Sequence, residues 1–308
     1  MKKSSDINEI RGTLLVLLTA MISGVSIVVN KFFVVKIDPL IFTALRALFI
    51  GLIFLIISLY VSKINKQKKI NRVSWKYLIL IGIIGGGLAF WLFFTGLKIT
   101  TAGRAAFLHK TLPIYAVILA VIFLKEKITK KQLIAMLIML FGLILIELTN
   151  VSYDIRIGDL LVLGATFLWA IENTISKKVM LEKESNWVVT FSRMFFGSLV
   201  LFAIIFIIGK ANLIFSLNSQ QIIYIIISGA LLFLYVLTWY WGLKYINLSK
   251  ASTILLIAPV ISLILGFLWL NEQVFILQII GSILILIGAF VIARIKSERK
   301  IEERSENI

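Results

Sequence analysis

Gly96-Leu97-Lys98 recurs 146 residues later as Gly242-Leu243-Lys244. At the same spacing Gly12 recurs as Gly158, Lys31 as Lys177, Pro113 as Pro259, Leu124 and Glu126 as Leu270 and Glu272, and Gly142 as Gly288. Thr43 and Arg46 return at 147, as Thr190 and Arg193, so one residue was gained or lost nearby. The chain therefore reads as one unit used twice, over residues 1–150 and 151–308, with Thr149-Asn150-Val151-Ser152-Tyr153-Asp154 as the polar seam.

The unit is apolar. Hydrophobic residues make up 60% of the chain and charged residues 15%, more apolar surface than a water-soluble globule of this length needs. The apolar residues come in ten runs, near 12–35, 39–62, 75–96, 101–124, 129–149, 157–181, 186–208, 219–243, 249–271 and 274–293. About 20 residues suffice to cross a bilayer as a helix, and lipid offers no partner to exposed backbone groups, so each run is expected to be helical. The expectation is an all-α polytopic membrane protein of ten transmembrane helices. Five helices per unit is an odd number, so the second copy enters from the opposite side. The two five-helix repeats are then inverted, an arrangement that places a binding site where the halves meet near the bilayer midplane.

The net charge of +17 follows the same topology. With the amino terminus inside, 23 of the 32 Lys and Arg residues fall in inner segments, six in outer segments and three within spans. This positive-inside bias puts both termini in the cytoplasm and the chain in the cell membrane. It explains the basic balance without nucleic acid, and makes anionic lipid headgroups the natural contacts. The first run is too long for a signal-peptide core and reads as a retained helix. The absence of cysteine and the single histidine leave no set of metal ligands. No Walker-type phosphate loop appears, no cofactor is implied, and one deep acid is too little for an intramembrane enzyme.

The residues resemble a known family, the EamA-type members of the drug/metabolite transporter superfamily. The resemblance rests on Asn30-Lys31 ending the first run, on Pro39-Leu40-Ile41-Phe42 leading to Arg46, and on Gly96-Leu97-Lys98-Ile99-Thr100-Thr101-Ala102. It continues through Pro113 and Phe123-Leu124-Lys125-Glu126, then through Trp169-Ala170, Arg193, Pro259 and Trp269-Leu270-Asn271-Glu272. It implies ten helices in two homologous units and the export or exchange of small metabolites such as amino acids.

The candidate site starts with Trp169, Glu172, Asn173 and Ser176, spaced to share one helical face. The equivalent face of the first helix carries Ser23, Ser26 and Asn30. A polar face repeated in both halves suits a shared wet cavity; hydrogen bonding between helices is the plainer account. Glu172 is the deep acid, about 22 Å past its helix start. It is read as a specificity or proton-coupling group, or as half of a fixed salt bridge with Lys110 as the partner. His109 and Lys110 precede Pro113, which frees the carbonyl of His109; Pro259 does the same for Leu255, beside Ser252 and Thr253. Trp91 and Trp169 are candidate stacking surfaces, whereas Trp75, Trp187, Trp239, Trp241 and Trp269 fit an interfacial belt. Arg46 and Arg193 read either as anion or gate contacts or as snorkelling cations. Gly85-Gly86-Gly87 marks tight helix contact or a flexible point, and Glu126 and Glu272 read as caps.

Together these features describe a secondary transporter working by alternating access. Its partners are a small amphipathic solute and membrane lipid, with protons as a candidate coupling ion. A non-transporting scaffold or lipid-flipping protein is the alternative.

Overall fold

The computed structural model describes residues 2–34, 36–64, 72–100, 102–148, 157–182, 184–270 and 273–296. The seam at 149–154, Asn271, Glu272 and the charged tail beyond 296 lie outside them, as does the side chain of Lys31. All regular structure among the described residues is helical: α1 (Lys2–Val34), α2 (Pro39–Ile64), α3 (Arg72–Ile81), a π-helix (Gly82–Leu88), α4 (Ala89–Ile99), α5 (Ala102–His109), α6 (Leu112–Phe123) and α7 (Lys130–Glu147). The chain continues through α8 (Ile157–Leu181), α9 (Asn186–Ile207), the short α10 (Asn212–Phe215), α11 (Ser219–Tyr245), α12 (Leu248–Ile254), a 3₁₀ turn (Leu255–Ile257), α13 (Ala258–Leu270) and α14 (Ile276–Arg294).

Local chemistry sets several boundaries. The Asp38 carboxylate accepts from the amide of Leu40 at 2.9 Å and opens α2, and the Thr129 hydroxyl accepts from Gln132 at 3.1 Å and opens α7. Asn218 and Gln221 cap each other's backbone at the start of α11, satisfying amides that the first turn leaves free. Pro113 and Pro259 each break their helix. Lys110 and Thr111 form a turn between α5 and α6 just before Pro113, and the 3₁₀ turn precedes Pro259. A proline ring clashes with the carbonyl one turn back and supplies no amide hydrogen, so the helix cannot run straight through.

Among the described residues eight helical stretches are long and apolar enough to cross a membrane: Asp6–Val34, Pro39–Ile64, Trp75–Ile99, Arg104–Phe123, Asn186–Ile207, Ser219–Tyr245, Leu248–Trp269 and Ile276–Arg294. This is two fewer than the expected ten. The difference lies in α7, which starts at Lys130-Lys131 and ends at Glu147, and in α8, which carries Asp159, Glu172, Asn173, Lys177 and Lys178. Large apolar side chains cover the outside, among them Ile56, Ile207, Ile283 and Phe290, each at least half exposed. So much greasy surface has hydrocarbon as its natural solvent.

The repeat is visible in how helices touch. On Gly12 of α1 a Cβ would lie 2.7 Å from Tyr245 Cβ, and on Gly242 of α11 it would lie 2.4 Å from Val16 Cγ2. The equivalent residues, Gly158 of α8 and Gly96 of α4, make the equivalent contact: a Cβ on either would sit within 3 Å of the other's carbonyl oxygen. Glycine lets these backbones approach where hydrophobic burial no longer drives association. Helix α2 packs on α9 and α7 on α14, each on its own counterpart.

Candidate functional site

A cavity of about 750 Å³ lies between the halves. Ser23, Ser26, Ile27 and Asn30 line it from α1, Arg46 from α2, and Phe90, Phe93 and Phe94 from α4. His109 adds the end of α5, Trp169 and Asn173 come from α8, Arg193 from α9, and Ser228, Leu232 and Tyr235 from α11. The exposed Lys36 and Lys98, which line it together with Asp38 and Thr100, mark its mouth. Asp38 is locked there by Lys210 at 2.7 Å. Burial pushes its carboxyl upward, but the hydrogen bond and charge of Lys210 and the amides of Leu40 and Ile41 outweigh it, leaving Asp38 below the usual carboxylate range.

The wall is largely aromatic. The Trp169 ring lies 5.3 Å from Phe90, 5.2 Å from Phe93 and 4.9 Å from His109, centroid to centroid. Its indole N–H donates to the carbonyl of Gly85, in the π-helix, at 2.9 Å. A π turn is wider than an α turn and often marks a functional position; here it turns a carbonyl toward the ring. Asn173 is committed to structure: it donates to the Trp169 carbonyl at 2.8 Å and accepts from Trp239 Nε1 at 2.7 Å.

Glu172 is fully buried and does not line the cavity. Its carboxylate accepts from Ser176 at 2.6 Å and from the Tyr240 hydroxyl, and lies 3.3 Å from Arg193 Nη1. Gly85 makes room for it, since a Cβ there would meet Glu172 Cγ at 2.2 Å. The salt bridge is therefore real, but the partner is Arg193 and not Lys110. Lys110 is buried behind the wall, donates to Ser23 at 3.3 Å and has no carboxylate within ion-pair distance among the described residues. Depth along a helix says nothing about which helix adjoins it, and here α9, not the α5–α6 break, brings its cation to Glu172.

Arg46 and Arg193 are 3% and 5% exposed and sit in the interior, so neither snorkels. Arg46 donates from Nη1 to Ser228 at 2.8 Å, and Ser228 donates to Asn30 Oδ1 at 2.5 Å. The guanidinium lies over Phe42, Phe94 and Phe90, at 4.9, 5.5 and 5.9 Å from their centroids. Among the described residues no carboxylate pairs with it, and its buried Nε has no acceptor.

The end opposite the mouth is closed. Gly12 lies 22 residues before Val34 in α1, about 33 Å away by the helical rise, and packs there on Gly242. Lys177 donates to the carbonyls of Leu243 and Ile246, another cation that does not snorkel. Lys250 donates to Glu9 at 2.8 Å and to the carbonyl of Ile295 at 2.7 Å. Glu126 accepts from the amides of Leu248 and Ser249 at 2.8 and 3.0 Å and so caps α12, where negative charge complements the exposed amides.

The structure thus brings Asn30, Arg46, His109, Trp169, Asn173 and Arg193 to one cavity and leaves the other candidates out. Ser176 is spent on Glu172. Ser252 and Thr253 are buried and bond back to the carbonyl of Ser249. Trp91 points to the outer side of α4 and lines a separate crevice of about 220 Å³. Trp239 is buried against Asn173 instead of sitting in an interfacial belt. Ser228, Tyr235, Tyr240, Phe90, Phe93 and Phe94 were not anticipated. Ser228 is a polar residue in an otherwise apolar run, and Tyr240 stands 146 residues after Phe94.

Residues 10–148 and 156–294 each match the EamA-like transporter family. The chain is 29% identical over 290 residues to an uncharacterized transporter, YoaV, of Bacillus subtilis, covering 91% of this chain and 96% of that one. It is 27% identical over 201 residues to a probable amino-acid metabolite efflux pump of Escherichia coli, covering 62% of this chain and 67% of that one. A solved structure described only as the crystal structure of a protein superposes with a TM-score of 0.75 at 16% identity, over 92% of this chain and 98% of its own, which shows a shared fold.

Proposed function

Since the chain belongs to the EamA-like transporter family, within the drug/metabolite transporter superfamily, we propose that it is a secondary transporter exporting or exchanging a small amphipathic metabolite by alternating access. The observation carrying this reading is the cavity: walled by both halves, lined by aromatic rings and a few polar groups, open at one end and sealed at the other. In this reading α7 and α8 also cross the membrane. That gives ten helices in two inverted five-helix repeats, residues 1–150 and 151–308, with both termini cytoplasmic. The fate of equivalent residues supports inversion, because Gly96 lies next to the mouth residues Leu97 and Lys98 while Gly242 lies at the closed end. The basic residues near the closed end make it the cytoplasmic face, so the cavity faces outward.

Asn30, His109, Trp169 and Arg46 then contact the solute, Asn173 fixes Trp239 beside them, and Glu172 and Ser176 hold Arg193 in place. Movement that opens the inner end must release Lys177 and Lys250 from their carbonyls. The name of the Escherichia coli relative makes amino-acid metabolites a first set of solutes to try. In proteoliposomes loaded with a metabolite mixture, radiolabelled solute is expected to enter by counterflow, without ATP. Lipid scrambling with no solute movement would instead favour a lipid-flipping protein.

A further inference from the structure

The two halves treat their equivalent arginines differently. Around Arg193 the structure supplies Glu172 as counter-ion, Ser176 as donor to that carboxylate and Tyr240 as a ring 5.8 Å from the guanidinium. The 146-residue correspondence places Ser26, Asn30 and Phe94 at the matching positions of the first half, with Arg46 matching Arg193 at 147. The ring and a polar side chain are retained: Phe94 lies under Arg46, and Asn30 accepts from Ser228, which in turn accepts from Arg46. The carboxylate is not. In its place stands Ser26, whose buried hydroxyl has no hydrogen-bond partner and which lines the cavity. Arg46 is thus a nine-tenths buried cation facing the cavity; Ser228 and the Phe42, Phe90 and Phe94 rings offset part of its desolvation, but among the described residues no carboxylate does.

We propose that a solute carboxylate fills this position. It would take from Arg46, Ser26 and Asn30 what Glu172 takes from Arg193, Ser176 and Tyr240 in the other half. The planar guanidinium fork suits a carboxylate, and Phe90, Phe93 and Trp169 give the solute's apolar part a surface beside it. The inference rests on the transporter reading and narrows its solute. Among the described cavity residues Asp38 is the sole carboxylate, and it stands at the mouth held by Lys210. An α-ammonium would find cations and no free anion. The site therefore selects apolar organic monocarboxylates over zwitterionic amino acids.

The test is thermal unfolding of the purified full-length protein with four probes: 3-phenylpropanoate, its neutral amide, phenylalanine and phenethylamine. Binding to the folded state alone raises the transition, by an amount that grows with the logarithm of one plus ligand over Kd. The carboxylate is expected to raise it most, phenylalanine less, and the amine not at all. Arg46→Gln is expected to weaken the carboxylate about tenfold or more and to leave the amide unchanged. Ser26→Glu guards against misfolding of that variant. It rebuilds the second half's ion pair in the first, so it is expected to melt higher than the parent and to ignore 3-phenylpropanoate.

Unchanged carboxylate binding in Arg46→Gln and Ser26→Glu, or a preference for phenylalanine or phenethylamine, overturns the assignment. If other solutes still cross proteoliposomes in that case, only the carboxylate site falls. If no solute crosses, the transporter reading falls with it.

Discussion

Glu172→Ala is expected to lower unfolding stability by about 3–5 kcal/mol, and adding Arg193→Met is expected to return most of that loss. The reasoning is electrostatic. Glu172 has no solvent-exposed surface, and its carboxylate is the sole negative charge facing Arg193 among the described residues. Taking the acid away leaves a guanidinium buried at membrane depth with only the Tyr240 hydroxyl, at 3.1 Å, for company. Burying one unpaired charge costs far more than burying a satisfied pair, whereas an apolar pair of similar volume is often neutral. Glu172→Gln preserves the shape and hydrogen bonds but not the charge, so it is expected to fall between parent and Glu172→Ala. Thermal or denaturant unfolding of the four-member cycle in one detergent measures the coupling directly. Equal, additive losses from the two single variants would mean that the pair contributes nothing as a pair.

Gly86→Ala has a comparable expected effect through sterics, about 3 kcal/mol, at the upper end of ordinary overpacking. A Cβ on Gly86 would stand 1.8 Å from the carbonyl oxygen of Arg193 and 2.9 Å from Gly197 Cα. Those are backbone atoms, so no side chain can swing away, and the π-helix must move off α9. The same shift would carry Gly85 away from Trp169 and Glu172, so loss of solute binding is expected alongside the drop in unfolding midpoint. Gly164→Ala is the control: its Cβ would meet only Leu92 Cδ1, at 3.8 Å, and it is expected to behave like the parent.

Much of the fold is legible in the sequence because membrane helices announce themselves by length and apolarity, and because a duplication exposes its own register. The breaks before Pro113 and Pro259, the cap made by Glu126 and the shared face of Trp169 and Asn173 follow from rules that act within one helix. What escapes those rules is lateral. Lys110 and Arg193 are both cations at reasonable depth, and only the arrangement of α8 beside α9 decides which meets Glu172. Trp239 has a belt residue's position along its helix, but the face it occupies turns inward to Asn173. Ser252 and Thr253 look like cavity donors until their hydroxyls are seen spent on the Ser249 carbonyl. The helix α8 falls short of the apolarity of its neighbours for the reason that makes it central, since it carries the polar groups of the site.

In the proposed transporter a water-filled cavity between the halves opens to the outer face. The chain contains no cysteine, so Ile27→Cys, on the cavity wall, would carry the sole thiol. Whole cells treated with a membrane-impermeant maleimide give the direct reading. This thiol is expected to be labelled from outside. A thiol reached only from the cytoplasmic side, or reached from neither side while a lipid-soluble reagent modifies it, would mean that the cavity is not a wet, outward-facing one.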